Sequence, residues 1–477
     1  MLWRRICLDL EVIKGLQNSF VKITKGRYMS EISIIEKAII DFENVLMYLD
    51  ALNDYFNETS KMLNNKKLTF PEKHKVSYRL MKILDEIYDI EREKRNEYID
   101  SIQDKIVIGN IALKDIINIS ISDDDVIQYS MKKGYEKENY TPKYSREKLR
   151  SIRNQEMIFI RAILTNAIII FEQFFAAQYE TLVIIQPKAY FEDKKIPISE
   201  FFEYDINQIL QKTVAKEVES NMFDSLKTLD KIKEKSKINI DRFIPIRKQF
   251  EEIYYRRNAY VHSQGKANEI YLEKVDKKFI KGVKLDSPLI CDDCYLENVI
   301  TTVYKIISSL HFELLNVLEA KQEDYDYLAN LGFEFLKNAN YELAEYIYGI
   351  LRREKSFEFR YKAMYEINYI NALKLQGKDI DELIKGFDVS IATDEFKIAK
   401  YCLLNNHKNT YDLLLATYPQ SFNAEAIREW PIFKIFRETD YYKDFIKIHK
   451  DDFDTFLFED DNPKENTQEN LPEDDLC

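Results

Sequence analysis

Glycine and proline are scarce, with 10 of each in a chain of 477 residues. A sheet-rich fold with many hairpins needs more of both at its turns, so the scarcity favours long helices joined by short loops. Cysteine is scarce as well. The five present (Cys7, Cys291, Cys294, Cys402 and Cys477) are odd in number and scattered, which fits a reducing cytosol better than a disulfide framework. Long apolar runs are missing. The opening MLWRRICLDLEVIKG holds none of signal-peptide length, and the most apolar stretch, 162–175, is interrupted by Thr165, Asn166, Glu172 and Gln173. The expected address is therefore the cytoplasm, with no membrane partner. Positive charge is in deficit, the net value being −12. That excludes a general grip on nucleic acid, and any phosphate binding must come from a local cluster of Lys and Arg. Without a glycine-rich phosphate loop, nucleotide hydrolysis has no support.

What is present describes a well-folded chain: 45% hydrophobic and 32% charged residues, and enough length for two or three packed units. The fold expected is all-α, in three regions. In the first, 1–148, Ile35, Ala38, Ile39, Phe42, Val45, Leu46, Leu49 and Leu52 recur at helical steps, with Ser30 as N-cap. Pro71 suits the first turn of a second helix running to Ile102. The polar segment KKGYEKENYTPKYSREKLR, with Gly134 and Pro142, reads as a linker.

The second region, 149–321, predicts helices over 153–179, 205–235, 240–264 and 293–321, with a loop holding Pro187 and Pro197. Gly265 stands where a left-handed residue would close the third of these. The strip 266–294 suits either a helical turn or a short hairpin. In the third region, 322–458, Ala329, Ala363 and Ala399 stand in three similar segments, 34 and 36 positions apart. That spacing is similar to tetratricopeptide helical hairpins. The acidic tail, 459–477, is expected to be disordered.

Three Arg-Asn pairs occur, Arg95-Asn96, Arg153-Asn154 and Arg257-Asn258, and only the third has a histidine four positions after its Asn, at His262. On a helix Asn258 and His262 lie about 40° apart on one face, with Tyr255 and Glu251 extending the stripe, whereas Arg257 is about 140° from His262. His262 also falls in the last turn, where the helix's negative end favours a cation.

The run EEIYYRRNAYVHSQGKANEIYLEKV resembles the signature of the HEPN superfamily, in which Arg-Asn, three residues and His end one helix of a bundle. The upstream segment IIIFEQFFAAQYETL resembles that family's first core helix, which puts an acidic residue, here Glu172, near the site. The resemblance covers about 170 residues, on the strength of that short motif. It implies a metal-independent endoribonuclease with no cofactor. In that chemistry a ribose 2′-OH attacks the adjacent phosphate and leaves a 2′,3′-cyclic phosphate. His262 would move the proton, Arg257 would brace the phosphate with its planar fork, and Asn258 would hold His262 or the phosphate. The family's sites are commonly built across a homodimer. By the same analogy the protein is a toxin or antiviral defence effector, and the C-terminal hairpins would receive a protein trigger or partner.

Several readings stay open at this stage. Arg256 fits a slightly longer spacing to His262 and competes with Arg257 for the phosphate. Tyr254 and Tyr255 suit base stacking or ordinary core packing. Gln264 stands where one subgroup of the family has a tyrosine that accepts AMP, which argues against a partner of that kind. Cys291-Asp292-Asp293-Cys294 lacks a second ligand pair for zinc, and Asp292 and Asp293 read as the N-cap and first turn of a helix. The rival functions are a helical scaffold without activity and a module that binds RNA without cutting it.

Overall fold

A computed structural model of the chain describes residues 33–454, apart from 104, 109, 125, 192–195, 198–199, 223, 237, 240–242, 355 and 388–392. Ser30, Cys7, Cys477 and the acidic tail lie outside the described residues. Those described are 75% helical and 4% strand, an all-α protein. The chain divides into two compact units after Ile307.

The first unit opens with α1 (Ile34–Lys73), followed by α2 (Lys75–Asp89) and α3 (Arg95–Gln103). Ser33 caps α1 by accepting from the Glu36 backbone, while the Glu36 side chain accepts from the Ser33 backbone. Pro71 sits inside the last turn of α1, not at the start of the next helix. The chain turns at His74, three residues later than the proline suggests.

The all-helical expectation for the N-terminal region also needs correction. Strands β1 (Val107–Ile108) and β2 (Ile111–Ala112) form a short antiparallel pair. After one helical turn, α4 (Leu113–Ile116), β3 (Ile117–Ile121) pairs with β4 (Ile127–Met131), Ile117 opposite Met131 and Ile121 opposite Ile127. Ile117 and Ile119 face inward between exposed Asn118 and Ser120, so period-two alternation joins this hairpin to the core of Leu80, Ile83, Leu84 and Ile87 on α2.

The centre of the unit is α5, which runs from Pro142 to Ile185, 44 residues. The expected linker is in part its first turns: Thr141 caps it, and Pro142 takes the first position, where a missing N–H costs nothing. By length and composition alone α5 could cross a membrane, a measure that the central helix of a large bundle also meets. Here its apolar residues pack on neighbours, Phe159 stacking on Phe56 and Phe174 tilting against Phe42, both on α1. Short helices α6 (Pro187–Phe191) and α7 (Glu200–Glu203) lead to α8 (Ile206–Met222) and α9 (Ser225–Lys235), which divide the single helix expected over 205–235. Then come α10 (Ile244–His262), α11 (Glu269–Lys274) and α12 (Asp293–Val317). Asp292 caps α12 by accepting from the Tyr295 backbone at 2.8 Å, and Asp293 in its first turn accepts from Ser60 and Asn64 of α1, both at 2.7 Å.

In the second unit α13 (Asp326–Lys337) packs on α14 (Tyr341–Leu351), α14 on α15 (Phe359–Leu375), and α15, past the short α16 (Asp381–Gly386), on α17 (Asp394–Leu403), which packs on α18 (His407–Thr417). Ala329, Ala363 and Ala399 lie buried on α13, α15 and α17. Gly332 on α13 lets the helices approach, since a Cβ there would come within 3.0 Å of the Tyr348 ring. The hydroxyl of Tyr348 donates to the Ala329 carbonyl at 2.9 Å. Ile367, Ile370, Ile398, Leu414, Ile427 and Phe433 form this unit's core.

Candidate functional site

The motif helix α10 begins with Pro245 in its first turn and buries Phe250, Glu252, Ile253, Ala259 and Tyr260. Phe250 anchors it to α5, its ring centroid 4.2 Å from that of Phe171. Since Arg257 follows Phe250 by seven residues, both lie on nearly the same side of α10. Glu172 follows Phe171 by one residue. The two aromatic anchors therefore bring the Arg257 guanidinium to the Glu172 carboxylate, Nη2 to Oε1, at 3.8 Å.

Arg257 is four-fifths buried, with its guanidinium 5.1 Å from the Tyr254 ring centroid. Its Nε is buried with no acceptor. Burial raises the Glu172 carboxyl above its ordinary value, and Arg257 and the Ser225 hydroxyl offset this only in part. Ser225, at the start of α9, reaches Glu172 at 3.5 Å. Burial, with Glu172 nearby, also raises the Tyr254 phenol.

Arg256, the rival of Arg257 for the phosphate, is engaged within the protein. Its Nε donates to Glu252 Oε1 at 2.7 Å, Nη1 to the Ile290 carbonyl at 2.5 Å, and Nη2 to the Tyr271 hydroxyl at 3.2 Å. The Tyr295 ring centroid lies 4.2 Å from the guanidinium carbon. Glu252, 3% exposed, accepts also from Tyr271 at 2.6 Å and from Tyr295 at 2.8 Å. This buried cluster ties α10, α11 and α12 together, and all three nitrogens of Arg256 have protein acceptors. The Glu252–Arg256 spacing of four residues was legible as a helical ion pair. Tyr271 and Tyr295 come from too far along the chain for spacing to reveal.

Asn258 and His262 share the outward face of α10 with Tyr255. Asn258 and Tyr255 are half-buried, and His262 is exposed in the last turn. Neither Asn258 nor His262 makes a side-chain hydrogen bond among the described residues, so they are not a bonded pair closing the helix. Tyr255 meets Tyr254 edge-on, with centroids 5.7 Å apart. The fold thus brings Arg257, Glu172 and Tyr254 together at the α5 side. It leaves Asn258, His262 and Tyr255 around the helix from them, His262 being about 140° from Arg257.

The end of α10 is closed by two left-handed residues, Gln264 at φ 56° and Gly265 at φ 75°. Both Ser263 and Gly265 backbones donate to the Ala259 carbonyl, at 2.8 and 3.0 Å, the second across the turn that the left-handed Gln264 allows. Asn268 then caps α11 and also donates to the Ser263 hydroxyl at 3.0 Å. The strip between α10 and α12 forms the short helix α11 and, in place of a strand hairpin, an isolated antiparallel bridge, Lys266 to Pro288. Cys291 is buried, 3.9 Å from Arg256, with its thiol raised by burial, whereas Cys294 is exposed. Among the described residues no three His, Cys, Asp or Glu side chains gather as metal ligands.

No family model, curated protein or solved structure matches the chain. The class defined by the fold is that of an all-α protein with two helical units.

Proposed function

We propose that the chain is a metal-independent endoribonuclease of HEPN type. Its site would be built on α10 and α5, and its second unit would be a degenerate tetratricopeptide-like arm. The observation that carries the reading is the state of Arg257. Its guanidinium is held in place by Glu172 and Tyr254, yet Nε has no acceptor and Nη2 reaches its carboxylate only at 3.8 Å. The outer nitrogens of such a planar fork suit a phosphodiester that gains a second negative charge as the 2′-oxygen adds.

In this reading Arg257 braces the scissile phosphate as negative charge builds on it. His262 takes the proton from the ribose 2′-OH or returns one to the 5′-oxygen leaving group. Asn258, one turn before His262, orients the imidazole or the phosphate. Glu172 positions Arg257 and does not touch the RNA. Tyr255 offers a ring for a base. The nucleophile belongs to the RNA, so the reaction requires no metal or cofactor.

The angle between Arg257 and His262 on α10 favours a site completed by a second copy of the chain. A homodimer joined through the first unit would put the His262 face of one helix opposite the Arg257 of the other. By analogy the enzyme acts in the cytoplasm as a toxin or defence effector, with a protein trigger received on the C-terminal hairpins.

The test is cleavage of unstructured RNA by the purified full chain in EDTA, with analysis of the product ends. Expected are 2′,3′-cyclic phosphate and 5′-hydroxyl termini. RNA that is bound but left intact favours the binding module, and RNA that is neither bound nor cut favours the scaffold.

A further inference from the structure

We propose that the lysine-rich loop between α11 and α12 is a docking site for the sugar–phosphate backbone of single-stranded RNA, outside the scissile position. The inference rests on the ribonuclease reading and names how an acidic protein would hold that substrate. The stretch 277–285, KKFIKGVKL, carries Lys277, Lys278, Lys281 and Lys284 and no carboxylate, although the whole chain has 82 acidic residues against 70 Lys and Arg. All four lysines are exposed, as is Lys266 at the base of the loop. Lys266, Lys277, Lys281 and Lys284 form no ion pair among the described residues, and Lys278 lies over the Phe279 ring at 4.5 Å. Like charges crowded together repel one another, and a chain with surplus carboxylates could have paired them. Lys278 also interacts with the Asp276 carboxylate, and the other three, without an ion pair among the described residues, form a local field that suits a polyanion.

The loop is also fixed relative to the motif helix. At its base Ala267 donates to Ser287 at 2.9 Å, Asp286 to Ala267 at 2.9 Å, and Leu289 to Gly265 at 2.8 Å. Tyr271 and Val275 are buried beneath it, and Asp276 accepts from Lys248 of α10 at 2.7 Å. Lys266 follows His262 by four residues, so its Cα lies within about 14 Å of that of His262. A strand with its scissile phosphate at α10 would thus have a neighbouring phosphate within reach of Lys266, and the strand continuing past Lys266 would run towards the loop that Lys266 begins. Lysines that meet only phosphates carry no sequence information, so the grip would be independent of sequence. Attack by a 2′-OH in line with the leaving oxygen also requires a strand free to leave helical geometry, which favours single-stranded RNA.

The experiment measures binding of a fluorescent 20-nucleotide unstructured RNA to the full chain by anisotropy, between 50 and 300 mM KCl. Both proteins carry His262→Ala so that binding is read without cleavage. The test protein has Lys277, Lys278, Lys281 and Lys284 all changed to Gln. Expected is at least a tenfold loss of affinity at the low-salt end. The plot of log affinity against log salt should become shallower by roughly 3, from four contacts at about 0.7 each. Lys281→Gln with Lys284→Gln should give about half that change, and Lys385→Gln with Lys443→Gln in the second unit none. An unchanged slope in a folded fourfold variant overturns the proposal. If the wild type cleaves RNA while that slope is unchanged, only the loop assignment fails. If the slope changes as expected but the wild type never cleaves RNA, the loop stands and the ribonuclease reading falls.

Discussion

The guanidinium of Arg256 is enclosed by Glu252, Tyr271 and Tyr295, whereas that of Arg257 leans on Glu172 with donors unsatisfied. Truncating each therefore gives a different signature. Arg256→Ala leaves the Glu252 carboxylate buried without its counter-charge, a loss of about 3–5 kcal/mol in stability. Arg257→Ala removes only a 3.8 Å contact to a carboxyl whose affinity for a proton burial already raises, so it should cost less stability than Arg256→Ala. Its RNA cleavage should nevertheless fall by about 100-fold or more through lost phosphate stabilisation. Urea unfolding and initial rates on the same preparations make the comparison. A folded, fully active Arg257→Ala protein removes Arg257 from the site, and a stable Arg256→Ala protein contradicts the buried cluster.

Among elements, the long periodic helices were legible and the irregular joints less so. The stripe from Ile35 to Leu52 gave α1, and the Arg257-Asn258…His262 spacing gave the C-terminal turn of α10. The turn at Pro71 was misplaced because proline's preference for a first turn suggested a helix start, whereas the helix runs on to Lys73 although Pro71 has no N–H to give the Lys67 carbonyl. The hairpin 117–131 was missed although its alternation is regular, Ile117, Ile119 and Ile121 answering Ile127, Tyr129 and Met131 around SDDD. A short strand pair carries too few residues to compete with a helical period on either side. The Glu172–Arg257 approach came only from family resemblance, since nothing local in either segment specifies the other. Gly265 was legible and has a sharp test. A Cβ there would meet the Tyr260 ring at 3.1 Å, in a left-handed backbone that favours glycine. Gly265→Ala should cost about 1–3 kcal/mol and loosen the strip that follows, raising amide exchange at Ala267 and Leu289. Exchange unchanged at both positions contradicts the view that this turn holds the loop.

At the scale of the whole molecule, the chain is acidic and helical, and its proposed chemistry is confined to the first unit. A site divided around α10 predicts assembly. Light scattering of the full chain at micromolar concentration should give twice the monomer mass, and dilution to monomer should lower specific activity. A monomer with full activity contradicts the composite site.

The most direct test of the central claim compares wild-type and His262→Ala proteins for RNA cleavage in EDTA, alongside thermal unfolding of both. His262 is exposed at a helix end, so its loss removes a proton carrier and no packed group. The account predicts that cleavage disappears while the melting temperature stays within about 2 °C. A stable His262→Ala protein that still cuts RNA at the wild-type rate would contradict it.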